Sequence, residues 1–333
     1  MPHVASTYLP PRYGSNPHLL TIYAGAVRPR ATLPYRRELL PFGDEEHLEL
    51  DWLVGGGRNL VVITHGLTGS SHGRHVSRMA AALHRRGFDV LAWNFLGAGD
   101  HINRGVGWYH SGSSDQLRAV VRRALTIEQY HSISLVGFSL GGNVTLKYLG
   151  EEGVYVNPRL AGAVVFSVPC DLASCAAALA APRNRIYMAN FLSLLGKKLR
   201  AKAARHPGAI DLTGYRAICT FAEYDERYTA PLHGFRSAQE YWRLSSSRPF
   251  IGAIRLPTTI ISARDDPFLT PACFPFSETV NHSCVTLEAP PRGGHVGFVD
   301  AWRSGDIWSE RRTAELLALG TLEKPAPSTI TAR

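Results

Sequence analysis

The sequence predicts an α/β fold in which a mostly parallel sheet is flanked by helices. Short runs rich in β-branched residues alternate along the chain with longer segments of helical periodicity, and this alternation is typical of parallel strands joined by helices. The composition agrees, because 45% of the 333 residues are hydrophobic and only 19% are charged. Such a chain can bury a large core, so we expect one α/β domain over residues 36–322.

Seven segments are predicted to be strands, because each is short, apolar and rich in β-branched or aromatic residues. They are residues 47–53, 59–66, 88–95, 132–138, 161–168, 258–263 and 283–289. Helical patterns lie between them, at 73–87, at 113–130 and from 141 onward.

Three segments fall outside this alternation. Residues 1–35 precede the first strand, and we expect an extended arm that packs on the surface of the core. Residues 170–247 are helical in pattern, rich in alanine and aromatic residues, and contain no convincing strand; they predict a lid inserted over the sheet edge where the strands end. Residues 323–333 are polar with two prolines and predict a disordered tail.

Charge and cysteine content exclude several classes of protein. The net charge is +9, but the basic residues are scattered and the densest group, 196–206, has the pattern of one solvated helix face. No nucleic-acid-binding motif accompanies them, so we expect no nucleic-acid partner, while a weak peripheral contact with an anionic membrane stays open.

Five cysteines without a repeated CxxC spacing predict neither a disulfide framework nor a metal site. No cofactor is expected, and the absence of a signal-peptide pattern predicts a cytoplasmic location.

The chemistry centres on one serine. The segment GFSLG, residues 137–141, follows a predicted strand and precedes a predicted helix. In that context G-x-S-x-G forms a sharp turn that exposes the central side chain, here Ser139, and small residues two positions away on each side let the turn close. The alternative is a glycine-rich turn with a helix-capping serine.

A serine hydroxyl becomes a nucleophile only beside a base, which in turn is oriented by a carboxylate. Downstream of Ser139, a predicted strand ends in Asp265 and Asp266, and a later one is followed by His295. Both positions lie past the carboxyl ends of strands, where open α/β sheets place their sites. Spacing from the strand favours Asp266 as the acid, and Asp265 remains the alternative.

Catalysis by such a serine also needs two backbone amides that bind the developing oxyanion. One is expected at Leu140, directly after the serine. The other is expected at Leu67, in the loop that follows the strand at 59–66. His65 in the same loop is expected to stiffen the turn by hydrogen bonding rather than act as a base.

Further motifs are spread over nearly the whole chain. They are NPHLLTIYA, LDW, HGLTGSS, RRGFDVLAWNFLGAGD, YHSGSSDQL, GFSLGGNVTLKYLGE, FAEYDERYTAPLHGFRSAQEYWRLSS, ARDDPFL and GGHVGF. Together they resemble the YheT-like family of the α/β-hydrolase superfamily. The resemblance implies a triad of Ser139, Asp266 and His295 and esterase-type chemistry. Members of this family include eukaryotic lipid hydrolases and yeast enzymes that make and cleave medium-chain ethyl esters. The chain departs from the family pattern at Leu96, where an arginine is usual.

The sequence therefore predicts a serine hydrolase that cleaves carboxylic esters through an acyl-enzyme. An apolar lid segment, IYMANFLSLLG at 186–196, favours a medium or long acyl chain. Two alternatives stay open: an acyltransferase that moves the acyl group to an alcohol, and a non-catalytic scaffold of the same fold. The sequence gives no indication of oligomeric state.

Overall fold

The computed structural model describes residues 4–12, 15–99, 102–302 and 305–322. The predicted tail at 323–333 lies outside the described residues. None of the helices in the described part combines the length and the apolar character that crossing a membrane requires.

The described residues form one sheet of eight strands, in the order β1-β2-β4-β3-β5-β6-β7-β8. The strands are β1 (Arg36–Phe42), β2 (Glu46–Leu53), β3 (Asn59–Thr64), β4 (Asp89–Asn94), β5 (Ser132–Phe138), β6 (Leu160–Phe166), β7 (Thr258–Ile261) and β8 (Val285–Glu288). β2 pairs antiparallel with β1 and β4, and all other pairs are parallel. The predicted α/β architecture is confirmed.

The α-helices complete the layers of the fold. They are α1 (Pro17–Ile22), α2 (Arg74–His84), α3 (Ser114–Leu125), α4 (Leu140–Glu152), α5 (Leu172–Ala180), α6 (Arg185–Arg205), α7 (Phe221–Tyr224), α8 (Ala230–Leu232), α9 (Ala238–Ser245), α10 (Phe276–Thr279) and α11 (Trp308–Leu322). Apolar residues of α2 and α11 pack on one face of the sheet, and those of α3 and α4 on the other. Within β3, Val61 and Ile63 belong to the core on the α2 and α11 face, and Leu60 and Val62 belong to the core on the α3 and α4 face. Successive side chains of a strand point to opposite faces of the sheet, which accounts for this alternation.

Strand β1 was not predicted from the sequence. Its residues alternate between exposed and partly buried positions, it contains Pro41, and it carries charged side chains at Arg36, Arg37 and Glu38. Edge strands carry such residues because an unprotected edge invites pairing with other chains. The apolar pattern that identified the inner strands is therefore weak here.

The prediction of an extended N-terminal arm is wrong for residues 17–27. They form α1 and a π-helical turn, Tyr23–Val27. Asn16 caps α1, since its side chain accepts hydrogen bonds from the amides of His18 and Leu19, and Pro17 fits the first helical position. Leu20 is fully buried in a small core with Val299 and Ile307, so this helix packs against a late part of the chain.

The residues between β6 and β7, numbers 167–257, contain α5 to α9 and, in this described stretch, no strand. We refer to them as the insertion. Buried side chains of α5, α6 and α9 belong to the same apolar core as the α3 and α4 face of the sheet. The insertion is thus packed against the sheet layer.

A buried ion pair connects the two ends of the described chain. The guanidinium nitrogens of Arg28 donate to the two carboxylate oxygens of Glu310 over 2.5 and 2.9 Å. The two side chains are only 5% and 4% exposed. Arg28 also donates to the carbonyl oxygen of Gly305 over 2.6 Å, so it ties the N-terminal segment to the start of α11.

We expect Glu310→Gln to lower the free energy of unfolding by about 3 kcal/mol or more, because it leaves the Arg28 guanidinium buried without its counter-charge. Denaturant titration measures the change. Arg104→Ala is the control: it breaks a pair with Glu45 whose side chains are 64% and 69% exposed, and such pairs contribute little. Equal effects of the two substitutions would show that the buried pair does not hold the chain ends together.

Candidate active site

Ser139 occupies a strained turn between β5 and α4. Its backbone has φ +51° and ψ −118°, a conformation that costs a non-glycine residue free energy. A Cβ atom on Gly141 would lie 2.4 Å from the carbonyl oxygens of Thr64 and His65, and one on Gly137 would lie 2.7 Å from the carbonyl oxygen of Gly141. Gly141 is therefore required by the close approach of α4 to the end of β3, and Gly137 by the close approach of α4 to β5. This packing leaves Ser139 at the apex.

The structure brings Ser139, His295 and Asp266 together in one hydrogen-bonded series. The Ser139 Oγ lies 2.9 Å from the His295 Nε2. The His295 Nδ1 lies 2.9 and 3.1 Å from the two carboxylate oxygens of Asp266. The Asp266 side chain is 0% exposed and that of His295 is 11% exposed, so one end of the series reaches the surface of a cavity and the other is sealed.

Asp265 does not contact the His295 ring. Its Oδ1 accepts a hydrogen bond from the Gly294 amide over 3.0 Å, and burial raises the pKa of its carboxyl group. Asp266 also accepts from the Phe268 amide over 2.9 Å. Of the two candidates, Asp266 is thus the one that contacts the imidazole, while Asp265 supports the loop that carries it.

Two hydroxyl groups hold the backbone of the His295 loop, and sequence reasoning missed both. The Thr21 Oγ1, from α1, accepts from the His295 amide over 2.8 Å. The Ser167 Oγ, directly after β6, accepts from the Val296 amide over 2.8 Å. Thr21 lies in the NPHLLT segment of the arm, so the family resemblance gave a signal for it. Ser167 directly follows a buried strand, and its positive φ of 50° marks a special backbone position.

The loop after β3 lies directly beside Ser139. The Gly69 amide donates to the Gly66 carbonyl oxygen over 3.0 Å, and Thr68 has a φ of 57°, so residues 66–69 form a tight turn with Leu67 at its second position. A Cβ atom on Gly66 would lie only 3.4 Å from the Ser139 Cβ. The turn therefore passes next to the serine.

His65 stiffens this turn and is not placed to act as a base. Its Nδ1 lies 2.7 Å from the Gly66 carbonyl oxygen, and its Nε2 accepts from the Phe95 amide over 3.3 Å. Both ring nitrogens are thus occupied by backbone groups. Burial lowers the pKa of His65 to about 4, so the ring is neutral at physiological pH.

Leu67 and Leu140, whose amides were predicted to bind an oxyanion, line the same cavity as Ser139 and His295. Leu140 is the first residue of α4, and an amide at that position has no partner within its own helix. The positive end of the α4 dipole also lies here.

The cavity above Ser139 has largely apolar walls, most of them supplied by the insertion. The apolar residues that the insertion contributes include Leu172, Ala176, Leu179, Phe191, Leu195 and Phe221. The segment 186–196 takes part only through Phe191 and Leu195, since Ile186 is exposed and Met188 and Leu192 are buried in the core. The prediction that this segment presents one apolar face to the site is thus too broad.

Within the described ranges, no group of three or more His, Cys, Asp or Glu side chains is arranged to hold a metal ion. The five cysteines are free thiols.

Comparison with known proteins agrees with the fold and the motifs. A family model described as the alpha/beta hydrolase fold matches residues 59–301. YheT of Escherichia coli (strain K12) is 30% identical over 322 residues, which cover 94% of this chain and 93% of that protein. Phospholipase ABHD3 of Mus musculus is 24% identical, over 94% of this chain and 77% of its own.

A solved structure shows the same fold. The Pyrococcus furiosus esterase Pf2001 has a TM-score of 0.58 to this chain at 18% identity, with 96% of this chain and 98% of the esterase covered. The resemblance that the sequence motifs indicated is confirmed. Because the family model spans β3 to the loop after β8 and YheT matches nearly the full length, the chain belongs to the YheT-like branch of the α/β-hydrolase family.

Proposed function

We propose that this protein is a serine hydrolase that cleaves carboxylic esters through an acyl-enzyme. The observation that carries the proposal is the hydrogen-bonded series from Ser139 through His295 to Asp266 at the wall of an apolar cavity. A strained serine, an imidazole and a buried carboxylate in this order are the arrangement that nucleophilic acyl transfer needs. A scaffold used only for binding has no need of it.

The proposed mechanism starts with one proton on the Nδ1 of His295 and one on the Ser139 hydroxyl. Asp266 accepts from the Nδ1–H of His295, which leaves the lone pair of Nε2 directed at the Ser139 hydroxyl. His295 takes the serine proton as Oγ attacks the ester carbonyl, and the ionised Asp266 stabilises the imidazolium that results. His295 then gives the proton to the departing alcohol, which leaves the acyl group on Ser139.

The second half of the reaction repeats the chemistry with water. His295 takes a proton from water as the water oxygen attacks the acyl carbonyl, and Ser139 leaves with that proton. In both halves the carbonyl oxygen becomes an oxyanion, and the amides of Leu67 and Leu140 are the proposed donors to it. Both flank Ser139 in the cavity wall, and fixed donors at this point stabilise charge as it forms.

The substrate is proposed to carry a medium or long apolar acyl chain, or a lipid-like one. The support is the wall that α5, α6 and α7 supply, where Leu179, Phe191 and Phe221 are among the lining residues. Burial of each methylene of a chain against such a wall contributes about 0.8 kcal/mol. The insertion would act as the lid of this site, and the name of the relative phospholipase ABHD3 agrees with a lipid-like ester.

We expect Ser139→Ala to abolish labelling by a fluorophosphonate probe and to lower ester hydrolysis by at least about four orders of magnitude, because the nucleophile is lost. A p-nitrophenyl ester assay on the same samples measures the loss. Ser277→Ala, an exposed serine outside the cavity, serves as the control and should label and react as the native protein does. Labelling that survives in Ser139→Ala would place the nucleophile elsewhere.

The two neighbouring aspartates give a second test. Asp266→Asn should lower kcat by about three to four orders of magnitude, since it removes the carboxylate that orients and stabilises the imidazole. Asp265→Asn keeps an oxygen for the Gly294 amide and should retain most of the activity. Steady-state kinetics of both folded variants measure kcat. A larger loss of kcat in the Asp265 variant would make Asp265 the acid that orients His295.

A pair of alanines on α5 tests the acyl pocket. Ala176 lines the cavity, whereas Ala177 on the same helix is exposed. Ala176→Phe should lower kcat/KM for decanoyl esters by about tenfold or more relative to acetate, because the ring occupies the space for the chain. Ala177→Phe should leave this ratio unchanged, and an unchanged ratio in both variants would mean that the chain does not lie against α5.

A further inference from the structure

One part of the wall that the insertion contributes to the cavity is polar, whereas most of that wall is apolar. Tyr224, Asp225 and Thr229 line the cavity together, on α7 and the turn that follows it. We call these three residues the polar recess. None of them shares a hydrogen-bond partner with Ser139 or His295, so the recess is separate from the reacting groups.

Asp225 is a buried carboxylate without a cationic partner. It accepts one hydrogen bond from the Thr229 hydroxyl over 2.6 Å and one from the Trp242 indole over 2.8 Å. Across the part of the chain that the structure describes, no Lys, Arg or His side chain forms an ion pair with it. A carboxylate has about four acceptor positions, so two bonds leave it able to accept from a ligand.

The surroundings leave the charge of Asp225 unopposed. Burial raises the pKa of its carboxyl group to about 6, which leaves it largely ionised at neutral pH. His110 lines the same cavity, but burial lowers its pKa to about 3, so it carries no positive charge. A buried carboxylate in such a place is costly unless something further bonds to it.

Tyr224 adds an unpaired hydroxyl. The residue is 2% exposed, and its Oη has no hydrogen-bond partner within the described ranges. Burial raises the pKa of this phenol, and the neighbouring Tyr215 and Asp225 raise it further, so the group is a neutral O–H. Buried polar groups without partners are rare in proteins, and the residue that carries this one lines the cavity.

We propose that the polar recess binds a hydroxyl group that the ester substrate carries on its chain, remote from the scissile bond. The substrate hydroxyl donates to Asp225 and accepts from Tyr224. One group thus satisfies both the unused acceptor position of Asp225 and the unpaired O–H of Tyr224. An ammonium group would satisfy Asp225 but would leave the Tyr224 proton unpaired, since it has no acceptor to offer. This assignment rests on the proposed ester hydrolysis and narrows its substrate to hydroxylated esters.

Matched substrates test the assignment. The probes are p-nitrophenyl esters from butanoyl to decanoyl, each with and without a hydroxyl at the end of the chain. At the best chain length, the hydroxylated ester should exceed its plain counterpart in kcat/KM by about tenfold or more, the effect of a hydrogen bond to a charged group. Equal values, or a larger gain from a terminal ammonium than from the hydroxyl, would overturn it.

Variants separate recognition from a structural role. Tyr224→Phe removes a hydroxyl that bonds to no described protein group, so it should lower the ratio of hydroxylated to plain ester by about threefold to tenfold. Asp225→Asn should lower the ratio as well. Tyr228→Phe is the control, because its hydroxyl bonds to the Asp211 carbonyl oxygen outside the cavity. A loss that is equal for both esters would indicate packing alone.

A binding measurement distinguishes failure of this inference from failure of the proposed hydrolysis. Calorimetry with Ser139→Ala compares an alkanediol with the alkanol of equal length. Tighter binding of the diol, lost in the Ser139→Ala/Tyr224→Phe double variant, supports the recess even if no ester is turned over. Equal binding of both alcohols contradicts it whether or not esters are cleaved.

Discussion

The backbone conformation of Ser139 is the constraint on which the rest of the site depends. A left-handed φ at a serine persists only where the surroundings enforce it, and here the enforcement comes from contact between α4 and β3. Gly141 lets the helix approach the carbonyl oxygens of Thr64 and His65, and the Ser139 amide donates to the Phe166 carbonyl oxygen over 2.8 Å. The turn is thus anchored to the strands on both sides of β5, and packing of the sheet supplies the free energy that the strain costs.

The same kind of strain recurs along the carboxyl edge of the sheet. Within the described residues, five non-glycine positions have a positive φ: Thr68, Ser139, Ser167, Val296 and Phe298. They follow β3, β5, β6 and β8, and each lies in a segment that contributes to the site or holds a residue that does. Conformations that cost free energy are thus concentrated where groups must be aimed.

The inner strands and the serine turn could be predicted because their signals are local. Apolar runs identify strands buried on both faces, and GFSLG specifies its own geometry through its glycines. The position of Asp266 beside His295 could be favoured but not fixed, since Asp265 and Asp266 differ by one residue and only the conformation of the loop separates them. The Thr21 and Ser167 contacts could not be predicted from spacing, because they join residues more than a hundred positions apart. Edge strand β1 and helix α1 were missed because charge, proline and exposure weaken the apolar pattern there.

The early and late parts of the chain meet at the loop that carries His295. Thr21 holds the His295 amide, the Tyr8 hydroxyl donates to the Val299 carbonyl oxygen over 2.7 Å, and Arg28 pairs with Glu310. During translation these early residues leave the ribosome long before their partners are made. The N-terminal residues therefore lack these contacts until residues 295–310 have been synthesised. The His295 imidazole can reach its final position only after that.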